Sequence, residues 1–354
     1  MYRREFLGLL ATLFASSAWQ GCSGKLANVV DTIDTQSPLH GMLILDAHAH
    51  PDQFYTHAPR HYDGTSTLRS IRDVGMCASC FAVLGDVPSS KSAWRPETMR
   101  GAKSQLERGH DLVRSRKVKL IQKTSDIPAH LNQEDPPGAI LAIEGGDPLA
   151  GDPANLLEFY RAGVRIITLV HYRINEIGDI MTEPPRHKGL TNAGRRIVER
   201  MQDLGIVVDV AHAHVNTLAQ IAEISQRPLL DSHTSLCPGN EPSSCRRFRT
   251  WNEMEMIART DGIVCTWPIG GRAHRSTFTD WALEILEMKK RLGMEHVGLG
   301  TDGGGGLPAF IKGYSDVRDL RKLAGAMEAV GLSREDIAAY MGGNLYRLLQ
   351  RCIG

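Results

Sequence analysis

The sequence predicts an α/β protein of the (β/α)8, TIM-type barrel class with a C-terminal helical extension. Three observations carry this: eight short apolar runs, amphipathic stretches between them, and no dinucleotide-type glycine turn. The runs are Leu43–Leu45, Cys77–Leu84, Ala139–Ile143, Arg165–Val170, Ile206–Val210, Pro228–Asp231, Gly262–Thr266 and Val297–Gly300. Near-continuous hydrophobicity of this kind marks parallel strands buried on both faces. Between the runs, Ile197, Met201 and Leu204 fall at i, i+4 and i+7, as do Trp281, Ile285 and Met288, and each trio gives one apolar helical stripe. Repeated β-then-α order implies a parallel sheet, and eight units allow it to close. An open doubly wound sheet would want G-x-G-x-x-G at its first turn; the run Gly303–Gly306 follows the eighth strand instead. Residues Ser315 to Leu349 read as helices packed under or beside the barrel. At 354 residues the chain holds one barrel of roughly 250 residues with insertions.

Hydrophobic residues make up 42% and charged residues 23%, the balance of a globular protein with ample core. Forty-one basic and forty acidic side chains leave a formal charge of +1, which argues against nucleic acid as a partner. The N-terminus differs. Arg3-Arg4 precede an apolar run from Phe6 to Trp19, too short to span a bilayer of ~30 Å and placed where a secretory signal sits. Paired arginines before Phe-Leu resemble the twin-arginine export signal. Residues 1–22 are therefore expected to be an export signal and 23–354 a single metallo-hydrolase barrel domain. Gly21-Cys22-Ser23 looks like a lipoprotein processing site, with cleavage after Ala18 as the alternative. The expected location is periplasmic, or anchored to a bacterial membrane through a lipidated Cys22. Cys77 and Cys80 lie in a strand-like run and read as buried core thiols. Cys237 and Cys245 share one Gly/Pro/Ser-rich loop and are candidates for a disulfide.

In a barrel of this class the reactive side chains sit at the C-terminal strand ends. Here those ends carry Asp46-Ala47-His48-Ala49-His50, Glu144-Gly145-Gly146-Asp147, His171-Tyr172, Asp209 to His214, Asp231-Ser232-His233 and Thr301-Asp302. His48 and His50, two apart on a strand, point to one side and can clasp one ion. Imidazole nitrogen and carboxylate oxygen suit zinc, and a carboxylate can bridge two ions. Glu144 is the natural bridge, with His212 and His233 completing a second set. Singly, each residue has a plainer reading as a loop, cap or turn residue; together, five of eight strand ends carrying histidine or glutamate make a metal centre. His214 repeats the spacing beside His212 but reads as a loop or supporting residue.

These segments resemble the membrane (renal-type) dipeptidase family of metallopeptidases, a branch of the amidohydrolase-like barrels. The resemblance spans roughly Leu43 to Leu349. It rests on Asp46-Ala47-His48, Ala142 to Gly146, Gly163-Val164-Arg165 leading to Thr168-Leu169-Val170-His171, and Gly189-Leu190-Thr191. It continues through Gly194-Arg195-Arg196, Val208 to His212, Ser232-His233-Thr234-Ser235, His296 to Asp302 and Gly342-Gly343-Asn344. It implies two zinc ions bridged by Glu144, the first held by His48 and His50, the second by His212 and His233. It also implies that His171 polarises the scissile carbonyl, that an arginine after the sixth strand pairs with the substrate carboxylate, and that Asp302 faces the attacking water. Arg247 of the Arg246-Arg247 pair is the choice, in a loop from Leu236 to Ser244 longer than the family's. Two departures stand out. His48-Ala49-His50 replaces His-x-Asp, which makes the centre more positive and should lower the pKa of bound water; Asp52 is the alternative oxygen ligand. Asp302-Gly303-Gly304-Gly305-Gly306 replaces Asp-Phe-Asp-Gly, which widens the pocket.

The function these features imply is zinc-dependent hydrolysis of dipeptides or similar small amides by a metal-bridging hydroxide. Asp302 would pass the proton and Arg247 would hold the carboxylate. The partners expected are a dipeptide-like small molecule, a membrane through Cys22 and a second copy of the chain in a homodimer. Two alternatives remain: the same binuclear centre acting on a non-peptide amide, lactone or phosphoester, and an exported metal- or peptide-binding protein without turnover.

Overall fold

The computed structural model describes residues 38–51, 67–86, 95–131, 135–239, 246–270, 275–304 and 309–354. The expected export segment with Cys22, the alternative ligand Asp52, Cys245 of the candidate disulfide and Gly305-Gly306 lie outside them. Among the described residues no helix is long and apolar enough to cross a membrane.

The chain alternates strand and helix as the apolar runs predict. The elements are β1 (Leu45–Asp46), α1 (Thr67–Val74), β2 (Ala78–Leu84), α2 (Arg95–Arg114), β3 (Lys119–Leu120) and β4 (Gly138–Glu144). Then follow α3 (Leu156–Arg161), β5 (Val164–Thr168), α4 (Asn192–Leu204), β6 (Val207–Asp209), α5 (Val215–Ile224) and β7 (Leu230–Thr234). The order ends with α6 (Trp251–Ala258), β8 (Ile263–Thr266), α7 (Phe278–Leu292), β9 (Val297–Leu299), α8 (Leu320–Ala329), α9 (Arg334–Ala338) and α10 (Asn344–Ile353). All the strand pairs are parallel in the order β1-β2-β4-β5-β6-β7-β8-β9, with β3 beside β4 off the ring. The two ends of the sheet meet: Ala47 N donates to Leu299 O at 3.0 Å, Asp302 N to His48 O at 2.8 Å and His50 N to Gly303 O at 2.7 Å. That closure excludes the open doubly wound sheet.

Two differences from the sequence reading have physical causes. β3 is a two-residue extra strand, too short for any periodicity to announce it. β7 runs on to Thr234, past the expected end at Asp231, because Ser232 and His233 are buried polar residues that an apolar criterion rejects. The barrel interior is sealed below by the tail: Leu345, Leu348, Leu349 and Cys352 of α10 join Leu45, Cys80, Ile140, Ile166 and Cys265 in one cluster. The helices thus pack under the barrel, leaving its upper mouth for the polar residues. Cys77 and Cys80 are buried, unbridged thiols, and burial pushes both pKa values up. Cys237 is disulfide-bonded.

Candidate metal centre

His48, His50, Glu144, His171, His212, His233 and Asp302 meet at the upper mouth, and all are buried. Several are set by unusual backbone. His212 (φ 65°) and Asp302 (φ 50°) occupy the left-handed region, a strain that persists only when the surroundings over-determine it. For His212 the cause is Arg249, which is fully buried. Its Nη2 donates to Val210 O at 2.6 Å and its Nη1 to Ala213 O at 2.7 Å, clasping the turn on both sides of the histidine. Its Nε donates to Asp231 Oδ2 at 2.7 Å, two residues before His233. On the β1 side, Asp46 accepts from His48 N, Thr301 N and Thr301 Oγ1, which locks the His48 segment to the residues ahead of Asp302. Burial outweighs those bonds and pushes the Asp46 carboxyl up to about 6. At Gly300 a Cβ would meet Ser232 O at 1.7 Å, so the residues leading into Asp302 pass β7 only without a side chain.

The donor atoms converge on Glu144. Its Oε1 lies 3.1 Å from His212 Nε2, 3.4 Å from His48 Nε2, and 3.5 Å from His233 Nε2 and His171 Nε2. Its Oε2 lies 3.2 Å from His50 Nε2, which is 3.5 Å from Asp302 Oδ1. His48 and His50 approach through their Nε2 atoms at 3.2 Å, and His212 and His233 at 3.1 Å. A tetrahedral ion with ligands at ~2.05 Å requires neighbouring donors ~3.3 Å apart. The imidazole pairs and the His50–Glu144 edge therefore have the spacing of a coordination shell, and four nitrogens with a carboxylate suit a divalent transition metal. Among the described residues three sets of donors within 4.8 Å qualify: His48-Glu144-His233, His48-His50-Asp302 and Glu144-His171-His212. They overlap through His48 and Glu144, so the donors form one continuous cluster.

Charge divides the cluster. Burial opposes the His48 imidazolium, but Glu144 and Asp302 outweigh it and the pKa is pushed up to about 9. Burial lowers His212 and His233 well below the ordinary histidine value, Arg247 adding to it in both cases. Burial alone would raise Glu144; His171 and His48 hold it well below the carboxylate range instead. Asp302 is raised, by burial first.

Of the two arginines, Arg247 is the one beside the cluster. Arg247 is half-buried, with Nη2 2.7 Å from His212 Nε2 and 3.0 Å from His233 Nε2, and its guanidinium carbon 4.8 Å from the Trp267 ring centre. Arg246 turns outward onto Thr182 O. His214 stays out of the cluster: its Nδ1 accepts from Asn216 N at 3.2 Å and caps α5. Sequence reasoning missed Asp86, just past β2, whose Oδ1 accepts from His171 Nδ1 at 2.9 Å and whose Oδ2 accepts from Tyr172 N at 3.0 Å. A carboxylate at a strand end was the available signal. Asp86 aims His171 Nε2 at the cluster, and burial's depression of the His171 pKa is outweighed by Glu144 and Asp86, so it is raised. Trp267, the wall beside His233 at 5.2 Å, was missed as well.

A model of the membrane dipeptidase family, peptidase family M19, matches residues 42–352. Dipeptidase aclJ of Aspergillus oryzae is 30% identical over 267 residues, 72% of this chain and 61% of that protein. Dipeptidase tcpJ of Claviceps purpurea is 27% identical over 67% of this chain and 56% of its own length. The chain thus spans less than two thirds of these curated relatives. Among solved structures, a metallo peptidase from Rhodobacter sphaeroides liganded with a phosphinate mimic of L-Ala-D-Ala shares the fold with a TM-score of 0.75. It is 21% identical, over 88% of this chain and 99% of that one. An amidohydrolase from Pseudomonas aeruginosa gives 0.74 at 20% identity, over 90% and 99%. With its family match covering the barrel from before β1 to the end of α10, the chain belongs to the membrane dipeptidase family, peptidase family M19.

Proposed function

We propose that the chain is a zinc-dependent dipeptidase that hydrolyses the peptide bond of dipeptides or similar small amides. The observation that carries this reading is Arg247, a half-buried arginine whose Nη1 is buried beside the donor cluster. Its Nη1 has no hydrogen-bond partner among the described residues, which suits the free carboxylate of a very short peptide. His48 and His50 would hold one zinc ion, His212 and His233 a second, and Glu144 would join them. When bound, the ions supply a water activated near neutral pH and polarisation of the scissile carbonyl.

The remaining roles belong to the chain's own side chains. Asp86 engages Nδ1 of His171, so Nε2 is left to donate to the carbonyl oxygen as negative charge develops there. Asp302 takes the proton of the attacking water. As the oxygen–carbon bond forms and the carbon–nitrogen bond breaks, it returns that proton to the leaving amine. The raised pKa of Asp302, owed to burial, favours holding the proton between the two transfers. The names of the curated relatives support a peptide substrate. Arg3-Arg4 and the apolar run behind them support an exported enzyme, periplasmic or anchored through Cys22.

A substrate panel tests the reading. Zinc-loaded protein is offered L,L- and L,D-dipeptides, their C-terminal amides, and an ester, a lactone and a phosphoester. Amino acids released from dipeptides, with much slower cleavage of the amides, is the expected result. Turnover confined to the esters, lactone or phosphoester overturns it, as does metal binding without turnover.

A further inference from the structure

Ser232 is the one residue of β7 between Asp231 and His233, and it is fully buried. Its hydroxyl touches imidazoles from both sides of the barrel. It lies 2.9 Å from His233 Nδ1, its own neighbour, and 3.3 Å from His48 Nδ1, which follows β1. The two rings lie 4.1 Å apart at a shallow 32° tilt, so one oxygen serves both.

The direction of these bonds follows from Asp209. Its Oδ1 accepts from Ala211 N and Ser232 N, each at 3.0 Å. Its Oδ2 accepts from Thr168 Oγ1 at 2.5 Å and from Ser232 Oγ at 2.7 Å. A serine hydroxyl has a single proton, and here it points to Asp209. The oxygen is then left as an acceptor, and only an Nδ1–H can face it from either histidine. In the neutral form of each ring the proton is then on Nδ1 and the lone pair on Nε2, the atom turned to Glu144.

We propose that Ser232, oriented by Asp209, is a positioning residue shared by the two halves of the centre. It sets the tautomer and ring angle of one metal ligand in each half, so that the halves cannot be disturbed separately through it. The proposal rests on the metal reading of this cluster. Partners of this kind behind a ligand are worth about 10- to 100-fold in metal affinity. Here one hydroxyl carries that effect for two positions. Asp209→Asn has the same consequence without changing shape: an amide NH2 facing Ser232 turns the hydroxyl proton toward an imidazole and forces the wrong tautomer on it.

The test is calorimetric zinc titration of the metal-free full chain, comparing wild type, S232A, D209N and S79A. Ser79 is a buried hydroxyl of β2 that donates to Cys80 O and touches none of these residues. Expected are two zinc positions in wild type and S79A, with both weakened about 10- to 100-fold in S232A and D209N. A second readout uses isotope-labelled histidine in the zinc-loaded protein. The Nδ1–H signals of His48 and His233 should be lost to solvent exchange in S232A, while that of His50, held by Ala82 O at 2.9 Å, persists. Weakening at one position only, no weakening, or loss of the His50 signal together with the others overturns the proposal. Wild type that takes up no zinc overturns the metal reading beneath it, a result distinct from a wild type that binds two ions while S232A does the same.

Discussion

The two halves of the donor cluster use the same residue type at the same depth, yet His48 in one half and His212 and His233 in the other are pushed in opposite directions. On the β1 side, His48 and His50 face Glu144 and Asp302, and the acidic surroundings push His48 up to about 9. On the β6–β7 side, burial and the Arg247 guanidinium hold His212 and His233 well below the ordinary value. The neighbours, more than the burial, decide the difference between His48 and the His212–His233 pair, since all three rings are buried. A metal ion bound in the first half would therefore displace a proton. One bound in the second would displace the hydrogen bonds of an arginine, because a nitrogen bound to metal has no lone pair left for Arg247.

The largest test of that contrast removes the carboxylate on which both halves converge. Glu144→Gln takes away the anion that raises His48 and whose two oxygens lie within 3.5 Å of all four rings. Zinc binding should fail in both halves, and kcat on a dipeptide should fall by on the order of 10⁴. Retention of one tightly held ion would show that the halves are independent. Next in size is Arg247→Met. Losing one partner of a buried carboxylate–guanidinium pair costs about 2–4 kcal/mol, roughly a 30- to 1,000-fold rise in dipeptide KM. Zinc binding by His212 and His233 should not weaken, since a competitor for their lone pairs has gone. An unchanged KM would remove Arg247 from the substrate site. The smallest effect is in pH. His48 must lose its proton to ligate, so zinc affinity of the first half should rise by up to about tenfold per unit from pH 7 to pH 9 and then level. The second half, whose rings are already neutral, should stay flat over that range. Calorimetry in buffers across it resolves the two profiles, and a single common profile contradicts the contrast.

The same contrast separates what the sequence shows from what it hides. All eight ring strands were legible, because buried parallel strands announce themselves as apolar runs. The metal-ligand candidates were legible too, since they stand at the C-terminal strand ends, where a barrel collects its chemistry. What sets their charge was not. Asp86 acts on His171 across 85 positions of sequence, at 2.9 Å in space. Ser232 reads as a spacer between Asp231 and His233 until folding brings His48 against it. Arg246 and Arg247 are adjacent and chemically identical, and only the fold sends one outward to Thr182 and the other inward. Arg249, which holds the strained turn of His212, looks like a third copy of the same motif and is a structural clasp for the centre.

The central claim is that this barrel mouth is a two-ion dipeptidase centre. Stepwise zinc titration of the metal-free protein, with dipeptide hydrolysis read at each addition, tests it most directly. The account predicts that amino-acid release becomes maximal at two equivalents of zinc per chain. Absence of stoichiometric zinc uptake, or a fully loaded protein that releases no amino acid from any L,L- or L,D-dipeptide, would contradict it.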